Sequence, residues 1–185
     1  MILVVCTANR CRSPLAAAAL QRRVAPRDPS VAVESSGLGP GGFPATPPTI
    51  DAARVLGLDL SDHRSRTVDR AQIGRAELVL AMERAQVREV VVVDQRAWPR
   101  TFTLKELVRR GEGIDARAPD EPIAAWLHRA GAGRRPVDVL GTSRDDDVAD
   151  PTLDPLADYE GVARELDDLL ARVVDLAWPI GGSGS

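Results

Sequence analysis

Two periodicities alternate along the chain. Ile2 to Val5 is an unbroken apolar run rich in β-branched residues, the pattern of a strand buried on both faces. Further strands are predicted at Val31 to Ser35, Glu77 to Met82 and Trp98 to Phe102. Between these runs the apolar positions recur at helical spacing. Ser13-Pro14 ahead of Leu15 to Leu20 predicts a helix with Ser13 as N-cap and Pro14 at its first position. Other helices are expected from Thr49 to Leu56, ended by Gly57, from Asp69 to Gly74 and from Arg84 to Val93. Thr103 and Glu106 form a capping-box pattern for another, and Glu121 to Ala130 is a further candidate. In Pro155 to Ala177, Tyr159, Val162, Leu166, Leu169, Leu170 and Val173 share one face, so this helix should dock on the sheet. Asp154 is its expected N-cap, with Pro155 at its first position, and Gly37 to Pro48 is a Gly- and Pro-rich loop. Strands alternating with helices predict an α/β fold, a three-layer sandwich with helices on both faces of a parallel sheet.

Composition narrows the class. The chain has 185 residues, 44% hydrophobic and 28% charged, which suits one globular domain over residues 1–178. Residues 111–144, polar and punctuated by Gly and Pro, read as an insertion or a surface excursion, and residues 179–185 as a flexible tail. A net charge of −3 offers no global attraction to nucleic acid or to an anionic membrane. No apolar run approaches the ~18 residues of a membrane span, so a cytoplasmic protein is expected. Its two cysteines, Cys6 and Cys11, lie too close together to staple a fold, and a chemical role in a reducing compartment suits them better. Oligomeric state leaves no mark in the sequence.

The loop from Cys6 to Ser13 is where that chemistry would sit. It joins a buried strand to a helix N-terminus, whose unpaired N–H groups and partial positive charge can cradle a phosphate-sized dianion. Thr7, Ala8, Asn9, Arg10, Cys11, Arg12 and Ser13 are therefore the candidate phosphate-binding residues. The same field favours the thiolate form of Cys6, with help from Arg12 and a hydrogen bond from Ser13. Arg12 offers a planar fork for two equatorial phosphoryl oxygens. The nucleotide-binding pattern G-x-x-x-x-G-K-[ST] is missing. A thiolate facing a phosphate implies phosphoryl transfer to sulfur and hydrolysis of the resulting cysteinyl-phosphate, with no metal or cofactor called for.

Val4-Val-Cys-Thr-Ala-Asn-Arg-Cys-Arg-Ser-Pro14 resembles the signature of the low-molecular-weight protein-tyrosine phosphatases, a valine-rich strand entering C-x-G-N-x-C-R-S-P, with Ala8 at the glycine. Ser35-Ser-Gly37 is similar to that family's S-A-G turn, Ser61-Asp-His63 to its S-x-H segment, and Leu78 to Glu83 to its strand ending in Met-Asp. The resemblance implies a flavodoxin-like, four-stranded parallel sheet in the order 2-1-3-4 and hydrolysis of phosphotyrosine in proteins. It also implies a hydrogen-bonded network of Asn9, Ser13, Ser35 and His63 behind the loop. The family's general acid is the Asp of an Asp-Pro pair, nine residues before an aromatic on the last helix. Of Asp150-Pro151 and Asp154-Pro155, only Asp150 has that spacing to Tyr159. Asp150 is thus the expected acid, and Cys6 and Arg12 the nucleophile and transition-state clamp.

Other residues carry less. Cys11 is either core packing or a redox guard that forms a reversible disulfide with Cys6. Asp145 to Asp147 reads as a solvated acidic turn, though a competitor for the acid's role. Arg64 and Arg66 read as surface charges or as attractors of an acidic or phosphorylated partner. The substrate rim is poor in aromatics, offering Phe43, Thr152 and Leu153. Two other functions compete: an arsenate reductase on the same fold, which would need a relay cysteine after Cys11, and a catalytically weak phosphate- or phosphoprotein-binding module.

Overall fold

The computed structural model describes residues 1–153, without the Leu153 side chain, and residues 158–180. Strand β1 (Ile2–Cys6) is buried along its length because both of its faces are covered. Ile2, Val4 and Cys6 join one apolar cluster, while Leu3 and Val5 join another on the opposite side, the period of two that a pleated strand imposes. β1 pairs in parallel with β2 (Val33–Gly37) and β3 (Leu78–Ala81), and β3 with β4 (Thr101–Thr103). The sheet order is β2-β1-β3-β4, the expected one.

Seven helices accompany the sheet among the described residues: α1 (Arg12–Val24), α2 (Pro47–Val55), α3 (Arg70–Arg75), α4 (Arg84–Val93), α5 (Leu104–Gly111), α6 (Ile123–Ala130) and α7 (Tyr159–Ala177). Leu20 of α1, Leu107 of α5 and Leu170 of α7 pack with Ile2 and Val4 on one face, whereas Ile73 of α3 and Val90 of α4 cover Leu3 and Val5 on the other. Each aliphatic side chain so buried stabilises the fold by about 1.5–3 kcal/mol. Residues 111–144 supply Trp126, which lies in the same cluster as β1 and donates through Nε1 to the Asp115 carbonyl at 3.2 Å. Arg134 lies 4.1 Å from both the Trp98 and Phe102 rings and pairs with Glu106 at 2.7 Å. Trp178 faces a cleft shared with Ile2 and Leu78 at the N-terminal ends of their strands.

Several boundaries differ from expectation for local reasons. Helix α1 begins at Arg12 with Cys11 as its N-cap, so Ser13 lies inside the helix and its hydroxyl is free for other partners. Helix α2 begins at Pro47, since prolines in a first turn need no acceptor for the N–H they lack. β2 ends at Gly37 instead of Ser35. Trp98 to Arg100 lie in a 3-10 turn rather than a strand: Asp94 caps that turn through the Arg96 N–H at 3.2 Å, and Pro99 has no donor for a ladder. Helix α7 is capped by Asp158, which accepts from the Gly161 N–H at 2.7 Å. The expected cap Asp154, Pro155 and the tail from residue 181 lie outside the described residues.

Candidate active site

In an open parallel sheet, the crevice at the strands' C-terminal ends opens where neighbouring connections diverge. Here that point is the end of β1, between β2 and β3, where Cys6 stands. Its Sγ lies 3.0 Å from Ser13 Oγ and accepts the Asn9 N–H at 3.2 Å. The backbone N–H groups of Thr7, Ala8, Arg10, Cys11, Arg12 and Ser13 have no acceptor among the described residues. These free donors lie in the loop that enters helix α1, and unpaired N–H groups at a helix start suit an oxyanion.

Asn9 holds this loop in shape. At φ 52° it is the sole non-glycine residue with a positive φ among those described, so Ala8 is spared the conformation that would demand glycine. Its Nδ2 donates to both Ser13 Oγ and Ser35 Oγ at 2.9 Å, and its Oδ1 accepts the Arg66 N–H at 2.9 Å. Its carbonyl meets His63 Nε2 at 2.7 Å. The four residues implied as a network therefore come together, with Asn9 at the centre and His63 touching backbone alone. Burial chiefly lowers the tendency of His63 to protonate, with Arg66 and Arg64 adding to the effect against the Asn9 hydrogen bond, so the neutral ring donates. A Cβ at Gly37 would stand 2.8 Å from the Asn9 nitrogen and 2.9 Å from the Thr7 oxygen, so the turn after β2 must be glycine for the loop to close on it.

Arg12 is 2% exposed, and its two terminal nitrogens are engaged while its Nε carries no hydrogen bond among the described residues. Nη1 donates to the Glu83 carboxylate and to the Val148 carbonyl at 2.9 Å, and Nη2 to Asp150 Oδ2 at 2.6 Å. Asp150 is thus beside the loop as the spacing predicted. Thr152, expected on the rim, is exposed beside Asp150 and binds its Oδ1 through its N–H at 3.0 Å and its hydroxyl at 2.7 Å. The Leu153 side chain lies outside what is described. Glu83 was not foreseen as a site residue; the signal available was its place at the end of a buried strand. Gln86 was missed too: its Oε1 accepts from Met82 N and Glu83 N at 2.8 and 3.1 Å, and its Nε2 reaches Thr7 Oγ1 at 3.2 Å.

The acidic turn at 145–147 is not simply solvated. Asp146 is buried and paired with Arg84 and Arg109 at 2.6 and 2.5 Å. Burial opposes its ionisation, but the two guanidiniums outweigh it and hold the carboxyl below its ordinary range, which removes it as an acid. The turn instead fixes the segment leading to Asp150, together with the Val148 N–H bound to the Met82 carbonyl at 2.8 Å. Cys11 is a free, buried thiol, and burial pushes it up to about 11 against a Thr49 hydrogen bond. Tyr159 is likewise raised, by burial first and then by the charges of Cys11 and Asp150, which marks it as a neighbour of the site. Phe43 is 46% exposed on the far lip, with the Arg10 guanidinium 5.5 Å from its ring centroid. No cluster of three or more His, Cys, Asp or Glu able to hold a metal occurs among the described residues.

A parallel α/β sandwich that gathers a thiol, a buried arginine fork and a carboxylate around one helix N-terminus is the architecture of cysteine-dependent phosphate-loop proteins. The family model for low molecular weight phosphotyrosine protein phosphatase matches residues 1–123, and the chain belongs to that family. A probable low molecular weight protein-tyrosine-phosphatase EpsP of Ralstonia solanacearum is 41% identical over 90 residues, covering 48% of this chain and 59% of that one. The chain thus spans under two thirds of the length of that relative. A protein-arginine-phosphatase of Geobacillus stearothermophilus is 30% identical over 179 residues, 94% of this chain and 93% of its own. Among solved structures, a low molecular weight protein tyrosine phosphatase from T. tengcongensis superposes with a TM-score of 0.69 at 27% identity, covering 94% of this chain and 97% of that one. Among the described residues no helix is long and apolar enough to cross a membrane.

Proposed function

We propose that this protein is a phosphatase that hydrolyses phosphotyrosine in proteins through a cysteinyl-phosphate. The observation that carries the reading is the Cys6 thiol, held by Ser13 and the Asn9 N–H in a loop whose other N–H groups are unpaired among the described residues, with Arg12 and Asp150 2.6 Å apart beside it. The donors of Thr7 to Ser13 bind the phosphate dianion, and the Arg12 fork takes two equatorial oxygens. Arrival of the dianion draws Nη2 away from Asp150, and the freed carboxylate takes a proton from solvent, which it then gives to the leaving group. Cys6 Sγ then forms a bond to phosphorus as the P–O bond to the phenol breaks, and Asp150 gives the phenolate its proton. In the second half, Asp150 takes a proton from water, the water oxygen attacks phosphorus, and the S–P bond breaks to release inorganic phosphate and the thiolate. No metal or cofactor enters these steps.

Cys11 serves as redox guard on this reading: a peroxide oxidises the Cys6 thiolate to a sulfenic acid, and the Cys11 sulfur attacks it to form the disulfide as water leaves. Its neutral, buried thiol makes that attack slow, because the thiolate is the attacking species. Two unpaired thiols suit a reducing, cytoplasmic setting. One observation favours a second substrate, phosphoarginine: the relative aligned over 94% of the chain is named a protein-arginine-phosphatase. Against it stands Arg10, stacked at the lip on Phe43, which would repel the guanidinium of that substrate. Arsenate reduction lacks a relay thiol, since the chain has no cysteine beyond Cys11. The test is release of phosphate from p-nitrophenyl phosphate, a phosphotyrosine peptide and a phosphoarginine peptide by the parent and by Cys6→Ser. We expect Cys6→Ser to lose at least ~10³-fold in turnover. Undiminished turnover would sink the mechanism, and a preference for phosphoarginine would replace the substrate.

A further inference from the structure

Most arginines of this chain are paired with carboxylates, as Arg23 is with Asp167 and Arg134 with Glu106. Arg12, inside the loop, is paired too, with Glu83 and Asp150, but Arg10, Arg64 and Arg66 beside it have no carboxylate within ion-pair distance among the described residues. A single lip holds them. Phe43 and Ser65 exchange hydrogen bonds, with the Ser65 N–H on the Phe43 carbonyl at 2.8 Å and the Phe43 N–H on Ser65 Oγ at 3.0 Å, and Pro44 bridges antiparallel to Arg64. The Arg66 N–H is fixed to Asn9 Oδ1, and Arg10 Nε to the Pro44 carbonyl at 2.9 Å. Arg64 and Arg66 are exposed, and Arg10 is half-buried against Phe43. Asp62 is the exposed acid nearest to them in sequence and pairs with none of the three. In a chain of net charge −3, three cations unpaired among the described residues on one lip, with Asp59, Asp62 and Asp69 the acids near them in sequence and none of these paired to them, are a local concentration of positive charge.

Building on the phosphatase reading above, we propose that this lip is a subsite for acidic residues flanking the phosphorylated side chain, so that the preferred substrate is an acidic phosphopeptide segment. The stack of Arg10 on Phe43 then acts as the hinge between the two recognitions. Its ring side faces the aryl group, and its guanidinium faces the adjoining carboxylates. Exposed pairs of this kind contribute little one by one, so the selectivity comes from several acting together and responds to salt.

The experiment compares two phosphotyrosine peptides of equal length, one flanked by glutamates and one by glutamines, at low and at high ionic strength. The parent should show kcat/KM about three- to tenfold higher on the acidic peptide, mostly through KM, with the gap closing at high salt. The double variant Arg64→Glu, Arg66→Glu should lose or invert that preference while its kcat on p-nitrophenyl phosphate stays unchanged. Equal kcat/KM for the two peptides in the parent, or a preference that survives the double charge reversal, overturns the proposal. So does stronger competition by an oligonucleotide than by the unphosphorylated acidic peptide. If p-nitrophenyl phosphate is not turned over, the catalytic reading fails separately, and the subsite stands or falls on which peptide the parent binds more tightly.

Discussion

The two sides of the site are built in opposite ways. The thiol side is one contiguous stretch, Cys6 to Ser13, whose geometry is tied down by Asn9 before anything else arrives. The acid side is assembled across 71 and 138 positions of chain, from Glu83 and Asp150, and both carboxylates are organised by the one buried guanidinium of Arg12. The lesson is that the nucleophile sits in one loop whose fold is closed through a single asparagine and fixed partners behind it, whereas on the proposed mechanism the acid's placement depends on the very group that also grips substrate. Loop occupancy and acid position are therefore coupled through Arg12, and substitutions on the two sides should fail differently.

The sharpest test of that division is Asp150→Asn. It should cost about 10²–10³-fold in kcat on a phosphotyrosine peptide but far less on p-nitrophenyl phosphate, whose leaving group needs little protonation. Equal losses on both would mean that Asp150 merely steadies Arg12. Next in size is Asn9→Ala, which strands Ser13, Ser35 and the Arg66 N–H and places a Cβ residue without a compensating amide at positive φ. Denaturant titration should show a loss of about 2–4 kcal/mol, against ~1 kcal/mol for Ser35→Ala. A smaller value would deny Asn9 its central place. Glu83→Ala should lower kcat/KM about tenfold by loosening Arg12, with Glu83→Gln retaining most of the activity because its amide oxygen still accepts from Nη1. The rate of Cys6 alkylation by iodoacetamide should be unaffected in both, and a change there would break the separation of the two sides.

The smallest effect concerns pH. Because burial lowers protonation of His63 in the folded state, its contribution to stability is whole above the ordinary histidine value of 6.5 and is lost as pH falls through that value and below. Thermal melts of the parent should lose more between pH 7 and pH 5 than melts of His63→Gln, whose amide can still donate to the Asn9 carbonyl. Parallel slopes would take His63 out of the account.

Legibility in the sequence follows the same division. β1, the thiol loop and α4 could be read directly, because their patterns are local: an apolar run, a polar loop and a helical repeat closed by turn residues. Ser13 was misread as a helix cap because its residue type favours that role, and only the folded loop shows its hydroxyl turned to Cys6 and Asn9. Trp98 to Arg100 looked like a strand by composition, until Asp94 and Pro99 committed it to a tight turn. Glu83 and the buried Asp146 were invisible in their roles because a carboxylate's partner depends on packing between distant elements. Asp150 was reached through a spacing shared with a family, with no local pattern of its own to mark it.

The placement of the tryptophans has a practical consequence. Trp178 shares a cleft with the strand N-termini, Trp98 is stacked on Arg134 ahead of β4, and Trp126 is sealed against the far end of α5. All three belong to the scaffold, and none hydrogen-bonds to residues 6–13 among the described residues. Intrinsic fluorescence is therefore an optical reporter of the framework that stays silent about the chemistry. An inert variant with the parent's emission spectrum is a folded protein with a broken site, and one whose spectrum shifts toward the red has lost its frame.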